Sequence, residues 1–586
     1  MTTLIRGGLV HDAVHRDACK ADILLADGKI AAIGTDLTAP ADAVIFDADG
    51  LDVFPGFVDA HTHIGLDGYG IGYEGCDYNE MNDIWTPQLR AIDGINPRDP
   101  SLADARKAGV TCVCTGPGSA NVLGGTFLAM KTVGERVDNM IVRDPVAMKC
   151  AFGENPKRCY RDKCDSTRMS TAAFLRGALM QARDYGARKQ ENAPLRYNGG
   201  ITMTTLIRGG LVHDAVHRDA CKADILLADG KIAAIGTDLT APADAVIFDA
   251  DGLDVFPGFV DAHTHIGLDG YGIGYEGCDY NEMNDIWTPQ LRAIDGINPR
   301  DPSLADARKA GVTCVCTGPG SANVLGGTFL AMKTVGERVD NMIVRDPVAM
   351  KCAFGENPKR CYRDKCDSTR MSTAAFLRGA LMQARDYGAR KQAANGDVTK
   401  MPAYNQKLEA LLPVLAREIP LKAHAHQAND IFTALRIARE FDLRLTLEHV
   451  TEGHLIADEL AKEKDVPMAV GPSLTFASKF ELQNKSWKTP GVLANAGCHV
   501  SIITDNSVIP QQYLPLCAGM AVKAGMDPFD ALKAITINPA EHIGVADRVG
   551  SLEVGKDADV VITNGCPFEV MTEVRAVFID GVQVAE

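Results

Sequence analysis

Two rhythms of apolar and polar positions divide the chain. After Met203, short alternating stretches such as "TLIRGGLVHDAV", "KADILLADGKIAAIGTDL" and "AVIFDADGLDVFPG", punctuated by Gly and Asp-Gly, predict β-strands joined by tight turns. From "GFVDAHTHIGL" onward the rhythm changes. Near-continuous apolar runs ("VTCVCTG", "AMKCAF", "PLKAHAH", "RLTLEHV", "PMAVGPS", "HVSIITD") alternate with helical ones ("SLADARKAG", a long helix from Ser372 to near Lys391, "NQKLEALLPVLARE", "ANDIFTALRIAREF", "HLIADELAKE"). Apolar strands alternating with helices predict a parallel sheet. With about eight such units in roughly 300 residues, a closed (β/α)8 TIM barrel of the α/β class is preferred to an open doubly wound sheet. The tail, "GSLEVGKDADVVITNG" and "VRAVFIDGVQVAE", returns to short strands and is expected to complete a small β-sandwich with the strands after Met203.

Residues 1–190 recur without a substitution as residues 203–392, a period far too long for a solenoid unit. The polar stretch "ENAPLRYNGGIT" at 191–202 reads as a linker. The expected organisation is therefore a duplicate partial copy at 1–190, a linker at 191–202, sandwich strands at 203–257 and 541–586, and a barrel at 258–540. The extra copy holds half a barrel, whose open edges and unburied apolar face predict poor order. The contiguous copy should complete the barrel, because using the first would loop out about 200 residues at an entropic cost.

Composition narrows the function. Acidic residues outnumber basic ones 76 to 60, a net charge of -16 that repels a nucleic-acid backbone or an anionic membrane. Arg6, His11 and Asp12 interrupt any apolar leader, and no run of about 18 apolar residues occurs, so the expectation is a cytoplasmic protein acting on a small molecule, with a homo-oligomer left open. Fourteen of the 17 cysteines are seven positions counted twice, in apolar runs that suit buried free thiols.

Histidines and an aspartate stand where the predicted strands end. His263 and His265, two apart in "HTH", point to one side of a strand; His424 and His426 in "KAHAH" do the same; His449 follows in "LEHV" and Asp505 in "IITDN". Barrel interiors use Val, Ile and Leu, and an unpartnered buried polar group costs about 1–3 kcal/mol. A shared divalent cation removes that cost. Imidazole and carboxylate without thiolate suit Zn, Mn, Fe or Ni rather than Ca or Mg.

The segments "PGFVDAHTHIGL", the strand-end His424 and His449, "SIITDN" and "AITINPAEHIGVADRVGSLEVGKDADVVI" resemble the amidohydrolase superfamily, in particular its imidazolonepropionase-like members, over all of 203–586. The resemblance implies one or two divalent ions, zinc foremost. His263 and His265 would hold one ion and His424 and His449 the second, with Asp505 a shared ligand and general base. It also implies a bridging group, either a carboxylated Lys351 or its rival Glu356, with Lys351 placed ahead. His426 is read as a contact to a ligand or to substrate, or as an ordinary hydrogen-bonded histidine. Lys359 and Arg360 are read as receiving a substrate carboxylate, or as solvated. The implied reaction is hydrolysis of an amide or related C–N bond by metal-activated water. Two alternatives stand beside it. Ring deaminases of the group commonly carry a glutamate where this chain has Gln427, and a catalytically silent scaffold would not need all five ligands.

Overall fold

The computed structural model describes residues 2–67, 77–81, 83–163, 167–187, 204–243, 245–269, 277–366 and 369–585, so the linker at 191–202 lies outside the described residues. The chain forms two compact units, Met1–Ala151 and Phe152–Glu586. The division falls before the end of the repeated segment. The last part of the first copy is thereby built into the second unit, where fully buried Lys157 places Nζ 3.0 Å from Asp279 Oδ1 and Arg168 pairs with the same carboxylate.

Eight strands of the second unit run in sequence order, each bonded to the next: Phe259–Thr264, Val312–Thr317, Leu325–Lys333, Ile343–Ala353, Leu421–Ala425, Leu445–His449, Met468–Val470 and Val500–Ile502. First and last meet where His265 N donates to Asn506 O at 2.9 Å and Thr504 N donates to the Asp261 carboxylate at 3.0 Å. The barrel is thus formed as expected, with one correction. Its third strand is antiparallel to both neighbours, whereas a uniformly parallel sheet was predicted. A parallel connection needs a dozen or more residues, usually a helix. Residues 318–324 are too few, and the next connection holds only the single turn Val339–Met342. The last three residues of the glycine-rich "GPGSANVLGG", Leu325 to Gly327, open this strand.

Helices seal the outside. Ala428–Phe441 buries Ile431, Ala434, Leu435, Ile437 and Ala438 at helical spacing and stops at Asp442, which takes φ 52°. The predicted long helix runs Arg370–Ala394, opened by a Thr369–Ser372 capping box and closed by Asn395 at φ 46°. The two ends of 203–586 meet in one sheet, because Asp254–Pro257 pairs antiparallel with Val560–Thr563. Buried Lys333, on the third barrel strand, ties barrel to sheet through Asp559 at 2.6 Å and Asp557 at 3.1 Å.

The first unit repeats the local structure without the enclosure. Phe57–Thr62, Val110–Thr115, Leu123–Lys131 and Ile141–Cys150 form a four-stranded sheet. The strands form despite the expectation of poor order, since their hydrogen bonds need only adjacent neighbours. Their apolar side chains do not fare the same: Phe57 and Val58 are 52% and 70% exposed, whereas Phe259 and Val260 are fully buried. Among the described residues no helix is long and apolar enough to cross a membrane, and every cysteine is a free thiol.

Candidate metal centre

The strand ends deliver their side chains to one end of the barrel. His263 and His265 close the first strand, His424 and His426 the fifth, His449 the sixth, and Asp505 follows the eighth. Their donor atoms gather as two clusters, His424 with His426 and His449, and His263 with His265 and Asp505, the atoms of each lying within 4.8 Å of one another. His449, Val450 and Asp505 have φ of 75°, 44° and 55°. Such left-handed geometry in non-glycine residues is strained and concentrates at functional sites.

In four histidines the nitrogen away from the cluster is engaged. His265 Nδ1 lies 2.7 Å from Gly318 O, His424 Nδ1 2.8 Å from Ser321 Oγ, His426 Nδ1 2.7 Å from Thr451 Oγ1, and His449 Nδ1 2.8 Å from Gly471 O. This fixes each ring with Nε2 facing inward. The Nε2 atoms of His424, His426 and His449 are buried and have no hydrogen-bond partner. His263 places Nε2 3.1 Å from Lys351 Nζ and 3.8 Å from Asp505 Oδ1, while His265 Nε2 is 3.3 Å from Asp505 Oδ1. Burial pushes the His263, His424 and His426 imidazoles well below their ordinary pKa and brings His449 to about 4, so all four are neutral at pH 7. Neutral imidazole is the form that binds a cation. Orphaned buried nitrogens beside a carboxylate fit a divalent metal of the zinc type.

Of the two bridging candidates, the structure brings only Lys351 to the histidines. It is fully buried, and burial pushes its amine down to about 8 against the opposing pull of Asp505 and Glu448. Glu356 instead begins the helix Glu356–Tyr362, half-buried, where its N donates to Glu481 Oε2 at 2.8 Å. Asp505 keeps its side chain 14% exposed; burial would raise its carboxyl, and the imidazoles of His449, His265 and His263 hold it well below the usual range. A cavity of about 300 Å³ opens beside it, lined by Arg360, Lys479, Tyr280, His265, His424 and His426. Lys359 does not line that cavity. A larger cavity of about 700 Å³, near Trp287 and Lys407, contains none of the histidines.

Four buried residues escaped the sequence reading. Asp261, two positions before His263 and on the same strand face, receives Gln511 Nε2 at 2.7 Å and Thr504 Oγ1 at 2.7 Å, and burial pushes its carboxyl up to about 6. Glu448 lies inside the barrel, 3.0 Å from Lys422 Nζ, 3.1 Å from His263 Nδ1 and 3.0 Å from His542 Nε2. Glu481 reaches the cluster from the turn Phe480–Leu482. Strand alternation could have flagged Asp261 and Lys422, each two residues before a strand-end histidine; Glu448 and Glu481 face histidines distant in sequence, which nothing local announces.

Known proteins resemble this chain in sequence and in fold. Amidohydrolase tasK of Hapsidospora irregularis is 29% identical over 390 residues, a match covering 61% of this chain and 39% of that protein. An imidazolonepropionase of Symbiobacterium thermophilum is 26% identical over 379 residues, covering 57% and 82%. The solved structure of an amidohydrolase from Thermotoga maritima MSB8 superposes with a TM-score of 0.63 at 41% identity, covering 65% of this chain and 99% of that one. Residues 255–584, more than half of the chain and inclusive of every strand-end histidine of the barrel, match the amidohydrolase family, and the chain belongs to that family of hydrolases.

Proposed function

We propose that the protein is a metal-dependent hydrolase that cleaves an amide or other C–N bond of a small molecule: an N-acyl amino acid, a dipeptide or a cyclic amide. The observation that carries this reading is the set of inward-facing Nε2 atoms, three of them buried and unpartnered, beside Asp505 at the wall of a cavity. His263 and His265 with Asp505 would hold one zinc-like cation, and His424 and His449 a second. Lys351 would bridge them as its carboxylated form, a role supported by its burial and its 3.1 Å approach to His263. When bound, such a cation supplies Lewis acidity, bringing the pKa of water to about 7 and polarising the scissile carbonyl.

The chain's own residues do the rest. Asp505 accepts the proton of the attacking water on its carboxylate and returns it to the departing nitrogen. Arg360 and Lys479, both on the cavity wall, offer charge-assisted hydrogen bonds to a substrate carboxylate. The relatives, among them imidazolonepropionases and a dihydroorotase, support a small-molecule substrate. Deamination is less well supported: Gln427 spends its side-chain oxygen on Arg370 and provides no carboxylate.

The test couples elemental analysis, after purification without chelators, to a hydrolysis screen of N-acyl amino acids, dipeptides and cyclic amides. Bound transition metal and a hydrolysis that chelation abolishes and metal restores are expected. A metal-free protein, or one inert across the screen, would overturn the reading.

A further inference from the structure

Glu481 has an unusual setting. Its side chain is fully buried, and Oε1, which accepts a hydrogen bond from Lys479 Nζ at 2.9 Å, also faces His424 Nε2 at 3.7 Å and His426 Nε2 at 3.6 Å. Oε2 is separately occupied by Glu356 N at 2.8 Å, so the backbone fixes which oxygen points at the histidines. Separations of 3.6–3.7 Å are too long for hydrogen bonds. They do match two atoms ligating one ion: bonds of about 2.1 Å at a tetrahedral angle place ligand atoms about 3.4 Å apart. Both facing Nε2 atoms are buried without a hydrogen-bond partner, and so is that of His449, in the same cluster.

We propose that Glu481 and His426 are cation ligands, closing with His424 and His449 a position of three imidazoles and one carboxylate. The inference rests on reading the histidine cluster as a metal centre and adds two ligands that this reading does not contain. An N3O donor set of this kind suits a zinc-like divalent ion. It also gives a physical reason for a buried carboxylate delivered by a short turn outside the barrel strands. Ligation there would lock the segment around Phe480–Leu482 against the strand ends and complete the cavity wall formed by Lys479 and Leu482.

The test uses the full chain, stripped with a chelator and titrated with cobalt(II), reading bound cobalt per chain and the visible ligand-field band. Glu481→Gln and His426→Asn are each expected to weaken cobalt binding at one position at least tenfold and to change the band, with the other position unaltered. Unchanged stoichiometry, affinity and band in both variants would overturn the assignment. Glu481→His keeps a donor atom and should recover the cobalt lost by Glu481→Gln with a shifted band. If both Glu481 variants lose cobalt alike, a packing defect is the cause and the assignment falls. Absence of cobalt binding by the unaltered protein would instead remove the metal-centre reading itself.

Discussion

Replacing Glu448 by Gln should cost more stability than its distance from solvent-exposed function suggests. The side chain is fully buried and faces three nitrogen-bearing partners at once: Lys422 Nζ at 3.0 Å, His542 Nε2 at 3.0 Å and His263 Nδ1 at 3.1 Å. Burial would raise its carboxyl, and Lys422, His542 and His263 more than reverse this, holding it well below the usual range. The ionised carboxylate is therefore part of the fold. Glutamine keeps the volume and removes the charge, leaving buried Lys422, which also donates to the Ala262 carbonyl at 2.9 Å, without its anionic partner. Breaking a buried pair from one side costs about 3–5 kcal/mol, whereas replacing both partners by apolar groups is often neutral. Glu448→Gln is thus expected to lose about 3–5 kcal/mol in urea unfolding of the metal-free protein at pH 7, and Glu448→Gln with Lys422→Met to recover at least about 2 kcal/mol of it. Because Glu448 also faces His263 Nδ1, cobalt affinity should fall about 10–100-fold in the single variant. A single-variant loss below about 1 kcal/mol, or strict additivity in the double variant, would refute the view of a charge network carried in the barrel core.

Lowering pH should destabilise the metal-free protein: the unfolded histidines protonate near 6.5, whereas burial depresses the folded pKa of His449 to about 4 and lowers those of His263, His424 and His426. The stability is fully present above pH 6.5 and lost as pH falls through 4, with His449 alone contributing about 3 kcal/mol; a urea midpoint equal at pH 7 and pH 5 would contradict this. Asp505→Asn should lower kcat/KM at least about 100-fold while far-UV circular dichroism is unchanged, and a smaller loss would remove it as the base. Lys351→Met should lose cation content yet leave the metal-free protein within about 1 kcal/mol of the parent, since a buried amine is relieved of its desolvation; a loss above about 2 kcal/mol would assign Lys351 to packing alone. A protein beginning at Met203 should retain metal content and hydrolysis, because every proposed donor lies between His263 and Asp505; equal losses on deleting either copy would refute it.

Much of the candidate site was legible because side chains on strands obey a short-range rule. Alternation puts His263 with His265, and His424 with His426, on common faces, and apolar strands separated by helices announce the barrel. The third strand was missed for a local reason as well: it opens on Leu325, Gly326 and Gly327, where two glycines interrupt the apolar run that marks the other strands. Glu448 and Glu481 are another matter. Each is an ordinary charged residue in its own segment, and its importance comes from groups that the closed barrel brings to it.

The repeated segment separates the two kinds of information. Identical residues build the same strands with the same register in both copies, and His63 Nδ1 reaches Gly116 O at 2.7 Å as His265 Nδ1 reaches Gly318 O at 2.7 Å. Local hydrogen bonding and side-chain alternation were thus determined by sequence alone. Burial was not: Phe57–Thr62 is mostly exposed along its length where Phe259–Thr264 is buried throughout. Only the second copy is followed by strands that close the barrel over it and bring His424, His449 and Asp505 opposite its histidines. Desolvation, side-chain convergence and charge pairing depend on atoms far apart in the chain, so the same letters enter a buried histidine cluster in one place and an open sheet in the other.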